Sequence, residues 1–252
     1  LIDECRELFG EIYEQIPELP FCNIWTAMQL SSRLPKGALF HMGVSNTRRC
    51  WNMFQLPESV ESACNVGCCG IDGCVSTLVG ASLVNPDRLC YVVVGDLTFF
   101  YDLNSLGNHH IGTNLRVMLV NNGRGTEFRL GIHHCNVFGD DADKYMAAAG
   151  HFGNKSPLLV KHYAEDLGFH YLSATTKEEF MTALSNFTNP QLSDHSMILE
   201  VFTDSKGESE ALYLMSHIQS DAKGMVRSKL KDAVRNVAGE KGINAIKKIL
   251  KK

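Results

Sequence analysis

Hydrophobic residues fall into short unbroken runs, set apart by polar and amphipathic stretches. Val92, Val93 and Val94 form a run that ends in Gly95-Asp96, and residues 117–120 form a second that ends in Asn121-Asn122. Short apolar runs of this kind, rich in β-branched residues and lacking alternation, read as strands buried on both faces. Residues 38–42 read as the first strand, 169–172 as a short one and 197–202 as the last. Between them the pattern changes to helical. Residues 71–82 carry small apolar side chains, 158–167 are amphipathic, and 176–187 open with Thr176 followed by Glu178 and Glu179, a helix-start signature. This alternation predicts an α/β fold, an open, mostly parallel sheet flanked by helices on both faces. Residues 98–113 are long enough for one crossover helix. Asp96 and Asn122 are then expected side by side at the carboxyl edge of the sheet, where open α/β sheets bind ligands.

Asp96 and Asn122 offer one carboxylate and one amide oxygen, the hard donors that Mg²⁺ prefers when phosphates supply the rest of its shell. The turn Gly123-Arg124-Gly125 adds a candidate carbonyl. The amides of Leu97 and Thr98 open a helix whose positive end suits a diphosphate. The plainer reading is an Asp cap beside an Asn turn. Residues 127–143, with Gly131, His133, His134 and Gly139, form a candidate active-site loop in which Glu127 is either a base or an exposed acid.

Composition narrows the setting. The 252 residues are 44% hydrophobic and 21% charged, enough for one large domain with appendages. No apolar run is long enough to span a bilayer and no signal pattern opens the chain, so the cytoplasm is expected, with neither a membrane span nor a nucleic-acid partner. The nine cysteines are odd in number and scattered, unlike a disulfide framework. Cys64, Cys68, Cys69 and Cys74 read as small buried thiols, with a soft-metal site as the alternative. The net charge of −4 conceals an asymmetry: residues 222–252 hold ten Lys or Arg against Asp232 and Glu240. Val226, Leu230 and Val234 recur at helical spacing, and residues 216–252 read as a basic helical tail.

The order of strand, Gly95-Asp96, helix, strand and Asn121-Asn122 resembles the thiamine-diphosphate motif of the acetolactate synthase and pyruvate decarboxylase superfamily. Within it, residues 95–104, with Leu97 after the Asp and the run Tyr101-Asp-Leu-Asn104, are most similar to the SEPHCHC synthase family of menaquinone biosynthesis. Residues 43–49 resemble that family's Gly-Asn-Ser-x-x-x-Arg segment, and 65–73 its Asn-Arg-Gly-x-x-Gly-Ile-Asp-Gly loop. The resemblance covers roughly residues 35–215, which it implies are the diphosphate-binding domain. Residues 1–34 would then be a helical lead-in from a preceding domain.

Carried over by position, the resemblance implies a thiamine-diphosphate- and Mg²⁺-dependent transferase. Such an enzyme decarboxylates a 2-oxo acid and passes the acyl unit to an acceptor. Asp96, the Asn122 side chain and the Arg124 carbonyl would hold the metal. Leu97, Thr98, Gly125 and Thr126 would line the diphosphate, and Ser45, Asn46 and Gly70 would border the cofactor. Ile71 would wedge beneath it to enforce the bent reactive form, and Arg49 would hold an acidic substrate. Two positions depart from the pattern: Val66 stands where the family has an arginine, and Glu127 where it has an apolar residue. Both changes disfavour a substrate with several carboxylates. The glutamate that serves the aminopyrimidine ring lies, in this superfamily, on a pyrimidine-binding domain that nothing here resembles. The chain is therefore expected to be incomplete and inactive alone, to pair with that domain in a longer chain or a separate subunit, and to form a homo-oligomer. A simple 2-oxo acid decarboxylase and a non-catalytic domain that kept the fold are the alternatives.

Overall fold

A computed structural model describes residues 2–131, 133–146, 156–191 and 194–218. The basic tail expected beyond residue 218 lies outside these, as do parts of the candidate loop. Six parallel strands form one open sheet in the order β2-β1-β3-β4-β6-β5. They are β1 (Leu39–Met42), β2 (Glu61–Cys64), β3 (Cys90–Gly95), β4 (Leu115–Asn121), β5 (His170–Ala174) and β6 (Met197–Phe202). The central strands β3 and β4 are buried nearly throughout, as their uninterrupted apolar runs require.

Helices cover both faces. On one side α2 (Asn23–Leu30), α3 (Asn46–Trp51), α8 (Lys177–Phe187) and α9 (Ser205–Ser216) bring Trp25, Trp51, Phe180 and Leu212 against Tyr91, Val93, Met118 and Leu199. On the other, α4 (Cys74–Val84), α5 (Asp96–Asp102) and α7 (Leu159–Asp166) bring Val75, Phe99 and Val160 against Val92, Val94, Val117 and Ile198. Successive residues of β3 thus serve opposite cores, as the two-residue period of a strand dictates. Trp51 is 1% exposed and its indole N–H donates to Asn23 Oδ1 at 2.9 Å, so the largest buried ring is also satisfied as a donor. The remaining helices are α1 (Ile2–Glu14) and the short α6 (Ala142–Tyr145).

Three elements differ from their expected form. The crossover after β3 is a seven-residue α-helix followed by a 3₁₀ turn at Leu103–Gly107, rather than one long helix. Asn104, Ser105 and Gly107 favour local turns, and Ser105 Oγ donates to the Asp102 carbonyl at 2.7 Å. The helix expected from Ile71 starts at Cys74, because Asp102 supplies its cap from outside: its Oδ2 accepts from Ser76 N at 2.7 Å and Ser76 Oγ at 3.1 Å. Edge strand β2 carries Glu61-Ser-Ala-Cys64, too polar to read as a strand. It is held by parallel pairing to β1. The Thr176 cap is present as expected, accepting from Glu179 N at 3.2 Å.

Glu208 on α9 is 1% exposed, with Oε1 accepting from Asn23 N at 2.9 Å and Thr203 Oγ1 at 2.7 Å, while Oε2 has no hydrogen-bond partner. Burial raises its pKa from 4.5 to about 7, with the Thr203 and Asn23 hydrogen bonds opposing the rise and the charges of Asp96 and Asp204 adding to it. The folded state therefore holds this proton more tightly than the unfolded chain. The stabilisation is complete below about pH 4.5 and is lost as pH rises through about 7, a span worth roughly 3 kcal/mol. Glu208→Gln, which keeps the accepting oxygen, should flatten the fall in urea midpoint between about pH 5 and pH 7. An equal fall in variant and wild type would rule out Glu208 as its source.

Candidate functional site

At the carboxyl edge the chain leaves β1 toward β2 on one side and leaves β3 toward β4 on the other, so the sheet's switch point lies between β1 and β3. A cavity of about 380 Å³ opens there. It is lined by the segment after β1 (Val44 to Arg49), by Val66, Cys69 and Ile71 after β2, by Gly95 to Thr98 after β3, and by Asn122 and Arg124 to Phe128 after β4. Asn23 of α2 and Val120 complete it. Every candidate cofactor, metal and substrate residue except Gly70 lines this one space; Gly70 precedes Ile71 on the same loop. His133 and His134 are outside the lining, and His133 Nδ1 accepts from the amide of Cys135 at 3.1 Å.

Asp96 ties the two strand tips together. Register pairs Gly95 with Val120, so the residues that follow each strand are neighbours. Asp96 is 3% exposed; its Oδ1 accepts from Leu97 N at 2.7 Å, and its Oδ2 accepts from Asn122 N at 3.1 Å and Gly123 N at 2.6 Å. Gly123 reaches that oxygen by adopting φ +80°, a conformation open to glycine at little cost. Asn122 Oδ1 accepts from Arg124 N at 3.3 Å, closing the same turn. The Asp96 carboxylate and Asn122 amide oxygen, beside the carbonyl-bearing turn at Arg124, form an all-oxygen donor set suited to a hard cation. No cluster of three His, Cys, Asp or Glu with metal-binding geometry occurs among the described residues, and of the four cysteines read as buried thiols only Cys74 is buried, Cys64 being half-buried and Cys68 and Cys69 exposed on their loop.

The turn rests on a buried polar chain that the sequence reading missed. Asn121 Nδ2 donates to Glu200 Oε1 at 2.7 Å, Tyr171 OH donates to Glu200 Oε2 at 2.7 Å, and Asn121 Oδ1 accepts from Gly123 N at 3.3 Å. Burial raises the Glu200 pKa above its ordinary value, a rise the two hydrogen bonds oppose and the Asp96 charge reinforces. The available signal was a single acid inside the apolar strand Met197–Phe202.

On the opposite wall, Ser45 holds φ +63° and ψ −126°, an unfavourable conformation for a residue with a Cβ. Its hydroxyl donates to Glu127 Oε2 at 2.5 Å, and the same oxygen accepts from Arg49 Nη1. Glu127, read beforehand as a base or an exposed acid, is a partly buried ion-pair acceptor. The half-buried Asn46 side chain lines the cavity, and its buried Oδ1 has no hydrogen-bond partner among the described residues. Ile71 also lines it, packed against the core under α4.

Relatives match over most of the chain. The 2-succinyl-5-enolpyruvyl-6-hydroxy-3-cyclohexene-1-carboxylate synthase of Bacteroides fragilis is 34% identical over 196 residues, covering 78% of this chain and 34% of the relative. The chain resembles one part of this synthase. The Phocaeicola vulgatus member is 34% identical over 200 residues, covering 78% and 34%, and that of Christiangramia forsetii is 33% identical over 199 residues, covering 79% and 33%. The chain thus spans about a third of the length of these curated synthases. No family model matches it. Among the described residues no helix is long and apolar enough to cross a membrane.

Asp96→Ala would leave the amides of Leu97, Asn122 and Gly123 without the acceptor they share. We expect a loss of about 2 kcal/mol or more in urea unfolding. Undiminished stability would mean that the turn does not depend on this carboxylate.

Proposed function

We propose that this chain carries the diphosphate- and Mg²⁺-binding part of a thiamine-diphosphate-dependent transferase that decarboxylates a 2-oxo acid and passes the acyl unit to an acceptor. One observation carries the reading. Asp96, Asn122 and the Arg124 turn converge at the switch point in a cavity that also holds Ile71 and the unpartnered Asn46 oxygen. Residues 35–215 form the diphosphate domain in this reading, with 1–34 as the lead-in and 216–252 as the basic tail.

The residues present fit the group. Asp96 and the Asn122 side chain would hold the metal, with the Arg124 carbonyl as a third oxygen, and Leu97, Thr98, Gly125 and Thr126 would border the diphosphate. Ser45, Asn46 and Gly70 would border the organic part, where the Asn46 oxygen offers an acceptor that no protein group satisfies. The cofactor, when bound, supplies an electron sink for breaking the bond next to a carbonyl. The chain's own contribution would be placement: Ile71, which lines the cavity, would pack against the organic part of the cofactor, and the apolar side chains about it would exclude water. A pyrimidine-binding domain, in the same longer chain or a second subunit, would bring the missing glutamate, and the working form would be a cytoplasmic homo-oligomer. A decarboxylase that releases an aldehyde is a second reading. The Arg49–Glu127 pair favours it, because a cation already paired offers less to an acidic acceptor. Product analysis with a 2-oxo acid separates the two.

Two substitutions test the assignment in the presence of the pyrimidine-binding domain. Asp96→Ala should weaken Mg²⁺-dependent thiamine-diphosphate binding by about tenfold or more, read by calorimetry. Ile71→Ala should leave that affinity within a few-fold while lowering turnover by about a hundredfold, since small misplacements at a reacting centre cost rate steeply. Unchanged affinity in the first, or full turnover in the second, would remove that residue from its role.

A further inference from the structure

Three side chains that line the cavity are joined to one another: Ser45, Arg49 and Glu127. One oxygen, Glu127 Oε2, accepts from both the Ser45 hydroxyl, at 2.5 Å, and Arg49 Nη1. The side chains of Arg49 and Glu127 are 38% and 21% exposed, so the pair borders the open space. Glu127 belongs to the 3₁₀ turn Thr126–Arg129 that follows the Asn121-Asn122 strand end, whereas Ser45 stands at the start of α3 and Arg49 lies in its body. The pair therefore bridges two walls of the site.

We propose that Glu127 is a built-in carboxylate plug that determines which substrates the cavity takes. It occupies on Arg49 the place a substrate carboxylate would take. An incoming carboxylate must either displace Glu127 or lie beside it, where like charges repel. The same carboxylate oxygen also holds the Ser45 hydroxyl, so displacement breaks two hydrogen bonds at once. Val66 on the facing loop adds no cation to offset this. The acceptor group that meets the Arg49–Glu127 pair is thus an uncharged one, bearing hydroxyl or carbonyl oxygens, while Arg48 and Arg124 elsewhere in the lining leave room for the carboxylate of a 2-oxo acid. This rests on the reading that the cavity is a substrate site, and it sets this chain's acceptor apart from one with several carboxylates.

The test uses succinate as the anionic probe and succinamide as its neutral counterpart, with binding followed by calorimetry on the full chain at low ionic strength. Glu127→Ala should bind succinate at least about tenfold more tightly than wild type, with succinamide affinity unchanged. The gain should vanish in the double variant Arg49→Met/Glu127→Ala. Glu127→Gln, which removes the charge and keeps the size, should shift succinate affinity in the same direction and guards against a folding defect in the alanine variant. Wild-type affinity for succinate in both single variants, or a gain that survives loss of Arg49, overturns the plug. Mg²⁺-dependent thiamine-diphosphate binding, measured on the same proteins in the presence of the pyrimidine-binding domain, reports separately on the proposed function. Its absence alongside an Arg49-dependent gain would sink that function and leave the plug standing.

Discussion

The site depends on one carboxylate. Asp96 takes amide hydrogens from its own helix start and from the turn after the neighbouring strand, so it fixes the distance between the tips of β3 and β4. Parallel pairing brings those tips together but leaves the residues beyond them unconstrained. A buried acceptor shared by three amides removes that freedom. It also puts a carboxylate at the sheet edge where open α/β folds bind ligands. The same group thus organises the protein alone and would remain the natural anchor for an ion.

Around this anchor the fold provides two kinds of support. Behind β4, the chain from Tyr171 through Glu200 to Asn121 satisfies a buried acid and holds the Gly123 turn in place. Across the cavity, Ser45 is held in an unfavourable backbone conformation, at a cost of order 1–3 kcal/mol. Gly43 makes the approach possible: a Cβ there would meet the Val93 carbonyl at 3.1 Å. The segment after β1 is thereby drawn tight over β3 and turns its polar groups toward the space between the strands.

Most of the fold was legible because its strands are buried on both faces, so burial wrote itself into unbroken apolar runs. The metal candidates were legible for a related reason. Asp96 and Asn122 sit where those runs stop, and the stop marks the sheet edge. Edge strand β2 was invisible, since an exposed strand needs no apolar pattern and is defined by pairing alone. The partnership of Glu127 with Ser45 and Arg49 joins residues 82 and 78 positions apart, and nothing local in either segment foretells it. Glu200 did leave a mark, a lone acid in an apolar strand, and only its partners required the tertiary structure.

That edge strand has a mechanical side. β2 hangs on β1 by one ladder, reinforced at its start by the Arg88–Glu61 ion pair, and runs directly into the loop that carries Ile71. Asn65 gives this loop its firmest tether, donating to the Gly73 carbonyl and to Thr77 Oγ1, each at 3.0 Å. Ile71 therefore sits at the end of an arm held by one ladder, while the turn at Asp96 is held by three amides. Anything that met this margin of the sheet would press on the arm and so shift Ile71 within the cavity.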